Sequence, residues 1–126
     1  MTAVLDASAL LALLFNESGA DRVLSYFPDA ALSAVNAAEV MTKLVDFGLS
    51  ANDAQDMILR LGLAIIPFDL DQARLTAELR LQTRSKGLSL GDRSCLAQAI
   101  LSRSVAVTAD RAWSDLDPGC EIDMIR

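Results

Sequence analysis

At 126 residues the chain has the length of one ordinary domain, and with 52% hydrophobic and 22% charged residues it can bury a sizeable core. It contains no histidine, which removes the commonest general base and zinc ligand and, with them, serine-hydrolase triads and most zinc sites. The net charge of −6 argues against binding nucleic acid by bulk charge, yet nine Arg and two Lys remain, and their distribution matters more than their sum.

The opening stretch MTAVLDASALLALLF is apolar but lacks a basic leader and carries Asp6 inside it, so it reads as part of the fold and not as a signal peptide. Within it, residues 3–5 read as a short buried strand ending at Asp6, followed by a helix over residues 9–15. Asn16-Glu17-Ser18-Gly19 interrupts that helix, residues 20–27 resume a helical pattern, and Pro28-Asp29 signals a turn. Residues 30–33 form a weak second strand, rich in Ala. From Asn36 to Phe47 the apolar positions 37, 38, 41, 44 and 45 follow a helical period, closed by Gly48.

Ser50 or Asn52 then caps a helix running to about Leu61. Residues 63–66, between Gly62 and Pro67, read as a third strand. A long amphipathic helix follows over residues 69–85, closed by Lys86-Gly87, and a further helix over residues 92–102. Residues 104–108 are the clearest strand, Ala109-Asp110 turns into a short helix, and residues 121–125 form a last edge strand. Strands alternating with helices predict one α/β domain over residues 1–126: a three-layer α/β/α sandwich with a central, mainly parallel sheet of four to five strands. No apolar run approaches the ~20 residues that span a bilayer. Cys95 and Cys120 lack metal-type spacing and read as reduced cytoplasmic thiols.

In open α/β sheets, ligands bind beyond the carboxyl ends of the strands. Asp6 closes the first strand, Asp110 sits two residues past the fourth, Glu39 lies early in the helix after the second, and Asp92 opens the helix that feeds the fourth. Taken singly, most have a structural explanation. Asn36-x-x-Glu39 has capping-box spacing, Asp92 suits a helix dipole, and Asp110 can cap the helix holding Trp113. Asp6, behind Ala-Val-Leu, has the weakest such explanation, because a buried carboxylate needs a partner. Together, four acids near one end of one sheet repel each other unless cations or protons offset the charge. Hard divalent ions with oxygen ligands, Mg²⁺ or Mn²⁺, answer that need and can activate water for phosphoryl displacement.

The segments VLDASAL, SAVNAAEV, LSLGDRSCLAQA and VTADRAW resemble, in order and spacing, the four signature segments of PIN-domain ribonucleases. The similarity is nearest to the VapC toxins of bacterial type II toxin–antitoxin pairs and covers essentially the whole chain. The resemblance implies a metal-dependent endoribonuclease in which Asp6 and Asp92 are the most direct ligands of Mg²⁺ or Mn²⁺ and Glu39 and Asp110 complete the shell, leaving 3′-hydroxyl and 5′-phosphate ends. It also implies supporting roles for Ser8 and Thr108, with Asn36 beside them. Asp115 is either a fifth acid or a solvated helix residue. The expected partners are RNA, a VapB-like antitoxin and a second copy of the chain, in the cytoplasm and without a membrane. The helices between Ala37 and Leu61, with Met41, Leu44, Val45, Met57, Ile58 and Leu61, either supply docking and dimer surfaces or simply cover the sheet. Arg74, Arg80, Arg84 and Lys86 along one helix, with Arg93 and Arg111 adjoining site acids, are expected to rim the cleft and hold phosphates.

Other readings fit the residues less well. A phospho-accepting receiver domain needs adjacent acids after its first strand and a Lys after its last core strand, whereas here Ala7-Ser8 and Thr108-Ala109-Asp110 stand at those places. A phosphatase of the haloacid dehalogenase type needs an Asp where Ser8 stands. An inert PIN-like scaffold would have lost site acids, and all four are present.

Overall fold

The computed structural model describes residues 2–126. Five short strands, β1 (Ala3–Leu5), β2 (Ala30–Ser33), β3 (Ala64–Ile66), β4 (Val105–Thr108) and β5 (Ile122–Met124), form one sheet in the order β3-β2-β1-β4-β5. Every pairing is parallel. The chain moves outward from β1 through β2 to β3, then returns to the other side of β1 for β4 and β5. The order reverses between β1 and β4, and in open α/β sheets ligands bind beyond the carboxyl ends of the strands at such a point.

Strand periodicity divides the core in two. On one face Ala3, Leu5, Ala30, Leu32, Val105 and Val107 pack beneath α1 (Ala7–Leu14), α2 (Ala20–Leu24), α3 (Ala34–Asp46) and α4 (Ala51–Leu59). On the other, Val4 and Ala106 pack against α5 (Leu70–Glu78) and α7 (Leu90–Ser102), through Leu79, Leu96, Ala99 and the buried Trp113. The central strands are apolar on both faces because helices cover both. The result is the three-layer sandwich expected from the sequence.

Several boundaries move, each for a local reason. α1 begins at Ala7 and not at Ala9, because Asp6 is its N-cap and accepts from the Ala9 amide. α3 begins at Ala34, capped by Ser33, so Asn36 lies inside the helix and is not a cap. Ser50 is the cap of α4. α7 begins at Leu90, because Ser89 and Asp92 form a reciprocal capping box.

The single helix expected over residues 69–85 is divided into α5, α6 (Arg80–Thr83) and a 3-10 turn at Arg84–Lys86. Buried Thr83 donates its hydroxyl to the Leu79 carbonyl at 2.8 Å, a back-bond of the kind that bends helices. Gly87, at φ 68°, then ends the run. Among the described residues no helix is long and apolar enough to cross a membrane.

Candidate active site

Asp6 is the centre of the site. It is 2% exposed, and both carboxylate oxygens are engaged. Oδ1 accepts from the Ser8 hydroxyl at 2.7 Å and the Ala9 amide at 2.8 Å, while Oδ2 accepts from the Thr108 hydroxyl at 2.5 Å. The same two hydroxyls bind the chain leaving β4: the Ala109 amide donates to Ser8 Oγ at 2.9 Å and the Asp110 amide to Thr108 Oγ1 at 3.0 Å. Ser8 and Thr108 thus fasten the start of α1 to the end of β4, and Asp110 stands one hydrogen-bonded residue from Asp6.

A second pair forms on α3. Asn36 lies on α3 with no exposed surface. Its amide donates to Glu39 Oε1 at 2.7 Å and to the Gly91 carbonyl at 3.0 Å. Glu39 therefore lies against the first turn of α7, beside Asp92. The Asn36–Glu39 relation inferred from spacing is real, but it joins side chain to side chain within the helix and caps nothing.

The electrostatics link the two pairs. Burial pushes the Asp6 carboxyl from 3.8 up to about 6; the bonds from Thr108, Ser8 and Ala9 oppose the rise and the charge of Asp92 adds to it. Burial also raises the Cys95 thiol, and the charges of Asp6, Cys120, Asp92 and Glu39 raise it further. Three of the four acids therefore act on one buried point. No cation answers them: the ion pairs among the described residues are Arg22–Asp123, Arg74–Glu78 and Arg126–Glu17. Also among the described residues, no three acids already form a compact cage. Uncompensated carboxylates repel.

The donor set suits a hard cation. Asp92 uses Oδ2 on the Ser89 amide and Asp110 uses Oδ1 on the Ala112 amide, which leaves each a second oxygen without a hydrogen bond from the described residues. Among the described residues Glu39 commits only Oε1. The capping roles of Asp92 and Asp110 are real and leave half of each carboxylate available.

The basic residues divide between contacts within the fold and the surface. Arg93 donates to the Thr76 carbonyl at 2.9 Å across the α5–α7 contact, and its Nε is buried without a partner among the described residues. Lys86 donates to the Ser114 carbonyl at 2.7 Å, and Arg74 pairs with Glu78 on its own helix. Arg93 and Lys86 thus each brace a backbone carbonyl within the fold. Arg84 and Arg111 are exposed. Asp115 is exposed in a turn at φ 61°, not in a helix, and no hydrogen bond among the described residues ties it to the four acids. Sequence reasoning missed Ser89, although Ser-x-x-Asp before an apolar run is a helix-start signal. It also missed Gly91, whose role appears only when α3 is brought against α7.

Residues 3–118 match the model of the PIN domain. The chain belongs to the PIN-domain family. No curated protein sequence matches it. Among solved structures this PIN domain is similar to a toxin–antitoxin complex from Klebsiella pneumoniae, with TM-score 0.79 and 23% identity over 99% of this chain and 98% of that one. It is also similar to a DNA-bound VapBC from Salmonella typhimurium, with TM-score 0.75 and 16% identity over 100% and 99%. A third similar structure is a VapC from Mycobacterium tuberculosis described as cleaving the sarcin–ricin loop, with TM-score 0.71 and 18% identity over 90% and 93%. At these identities the likeness is one of fold, and it extends over nearly the whole length of the chain.

Proposed function

We infer that this PIN domain is a metal-dependent endoribonuclease and the toxin of a type II toxin–antitoxin pair. The observation that carries the reading is Asp6, which is buried, held from both sides by hydroxyls and without a basic partner among the described residues, with Asp92, Glu39 and Asp110 on the segments around it. A buried carboxylate without a counter-charge is costly, and hard oxygen donors select Mg²⁺ or Mn²⁺.

Asp6 and Asp92 would hold the ion, with Glu39 and Asp110 completing or orienting the shell. A divalent cation, when bound, supplies water activation and charge stabilisation for displacement at phosphorus. The chain's own residues do the rest. Ser8 and Thr108 stop Asp6 from rotating, and Asn36 holds one Glu39 oxygen so that the other faces a single place. Exposed Arg111, next to Asp110, and Arg84 are available to receive RNA phosphates. Hydrolysis leaves 3′-hydroxyl and 5′-phosphate ends.

A VapB-like antitoxin and a second copy of the chain are the proposed partners, in the cytoplasm. Support comes from the toxin–antitoxin complexes that share the fold and from the apolar outer face of α3 and α4. There Val45, Phe47, Met57 and Leu59 are exposed beside a groove of about 350 Å³ lined by Ala37, Met41, Ile58 and Ile65. Leu44 and Ile58 belong mainly to the core.

The test is cleavage of RNA by the purified protein with Mg²⁺ or Mn²⁺, compared with EDTA and with Asp6→Asn and Asp92→Asn. Cleavage that needs the cation and disappears in both folded variants supports the assignment. Cleavage persisting in a folded Asp6→Asn/Asp92→Asn protein overturns it.

A further inference from the structure

We propose that Gly91 is a positioning residue whose missing side chain forms the seat of the Glu39 carboxylate, with Asn36 as the clamp that closes it. The inference rests on the proposed metal-dependent reading for its consequence, but the seat itself is a feature of the fold.

A Cβ built on Gly91 would stand 2.2 Å from Glu39 Oε1 and 2.5 Å from both Cδ and Oε2. Real Cβ contacts do not come so close, so any side chain at this position expels the carboxylate. Gly91 lies buried in the first turn of α7, between Leu90 and Asp92. No left-handed backbone requires glycine there: the positive-φ glycines are 19, 48, 62, 87 and 119. Helix propensity also disfavours it, since alanine is the better helix former. The space explains the residue.

Asn36 completes the arrangement, because one amide nitrogen donates both to Glu39 Oε1 at 2.7 Å and to the Gly91 carbonyl at 3.0 Å. The carboxylate is thereby tied to the backbone of the residue preceding Asp92. Glu39 is otherwise an exposed side chain on α3 and would sample many rotamers. The seat holds it beside Asp92 before a cation arrives. Pre-organisation of this kind raises affinity by cutting the cost of ordering a ligand on binding. The atoms displaced by a Cβ are the far end of a flexible chain with solvent nearby, so Gly91→Ala should leave the fold intact and release Glu39.

The experiment is a cycle of wild type, Gly91→Ala, Glu39→Ala and the double variant, read in two ways. In EDTA, the side-chain amide resonance of Asn36, assigned by its loss in Asn36→Ala, reports the bond to Glu39. Gly91→Ala and Glu39→Ala should shift it alike, with no further change in the double variant. Mn²⁺ binding, followed by the electron paramagnetic resonance of the free ion, should weaken roughly tenfold in Gly91→Ala and not weaken further when the change is made on Glu39→Ala. Thermal melting in EDTA should show all four proteins folded.

An unchanged Asn36 resonance in Gly91→Ala overturns the seat. So does Mn²⁺ binding weakened equally in both backgrounds, which would mean that the added methyl group acts on Asp92 or on α7, or unfolding by Gly91→Ala in both backgrounds. If no protein binds Mn²⁺ but the resonance cycle behaves as described, the seat stands and the metal-dependent reading falls. If Mn²⁺ binds and Gly91→Ala changes neither readout, the reading stands and the seat falls.

Discussion

Asp6→Asn should make the metal-free protein more stable at neutral pH, not less. Asp6 is 2% exposed, and its carboxyl is raised from 3.8 to about 6. A carboxyl whose folded value lies above its unfolded one contributes stability that is complete below the unfolded value and is lost as pH rises through the folded one. The window here is therefore about pH 4 to 7. At about 1.4 kcal/mol per unit, the rise to about 6 makes the ionised form cost about 3 kcal/mol at pH 7.5.

Asparagine removes the charge and keeps the shape. Its carbonyl can still accept from Ser8 and Ala9, but its amide must reverse the bond with Thr108, at a cost of about 1 kcal/mol. The net expectation is a gain of about 2 kcal/mol at pH 7.5, or roughly 5–8 °C in melting temperature for a chain of this size. At pH 5, above the sequence isoelectric point of about 4.4, wild-type Asp6 is mostly protonated and recovers about 1.4 kcal/mol, so the gap should narrow by that amount. Urea or thermal unfolding in EDTA at the two pH values measures it, and groups common to both proteins cancel in the difference. A variant less stable than wild type at pH 7.5, or a gap that does not change with pH, would refute the account of Asp6 as an uncompensated buried charge.

The remaining expectations concern the same constellation. Mg²⁺ at about a hundred times its dissociation constant should stabilise wild type by about 2.7 kcal/mol, and Asp6→Asn far less; equal shifts in melting temperature would remove Asp6 from the ion's shell. Thr108→Val keeps the shape but strips a donor from Asp6 and an acceptor from the Asp110 amide at a position with no exposed surface. Unfolding titrations should show a loss of about 2–3 kcal/mol, with Ser8→Ala costing less because Ser8 is only half-buried. Asp110→Asn preserves the carbonyl that accepts from Ala112, so stability should move by less than about 0.5 kcal/mol while RNA cleavage falls; retained cleavage would exclude Asp110 from the site. Asp123→Ala, which breaks the contacts with Arg22 and Tyr26 but no hydrogen bond to the four acids, should lower the melting temperature and leave the Mg²⁺ response intact.

The layered architecture was legible because its signals are local. Runs such as Val105–Thr108 are apolar on both faces and are bounded by turn residues, which a parallel sheet under helices requires. Asp6 was legible for the opposite reason: a carboxylate inside an apolar run contradicts its surroundings. Ser8 and Thr108 were named only by family resemblance, since a small hydroxyl near a strand end has many uses. The contact made by Arg93 was not legible, because helical position does not say which neighbour a side chain meets. Arg93 adjoins Asp92 in sequence, but one nitrogen of its guanidinium reaches the Thr76 carbonyl on α5. Gly91 was invisible, because a missing Cβ has meaning only once the opposing Glu39 is in place.

These observations tie stability to the proposed chemistry. Asp6 could be made harmless to the fold by protonation, by a buried arginine or by replacement, and among the described residues the structure uses none of these at neutral pH. It surrounds Asp6 with two hydroxyls and an amide, which oppose the rise in its pKa without cancelling it. Neutral hydrogen bonds of this kind hold a carboxylate in place and leave its charge unspent, whereas an arginine would neutralise it and occupy the space a cation needs. The destabilisation expected of the metal-free protein at pH 7.5 is thus the counterpart of cation affinity, and abolishing one by Asp6→Asn should abolish the other.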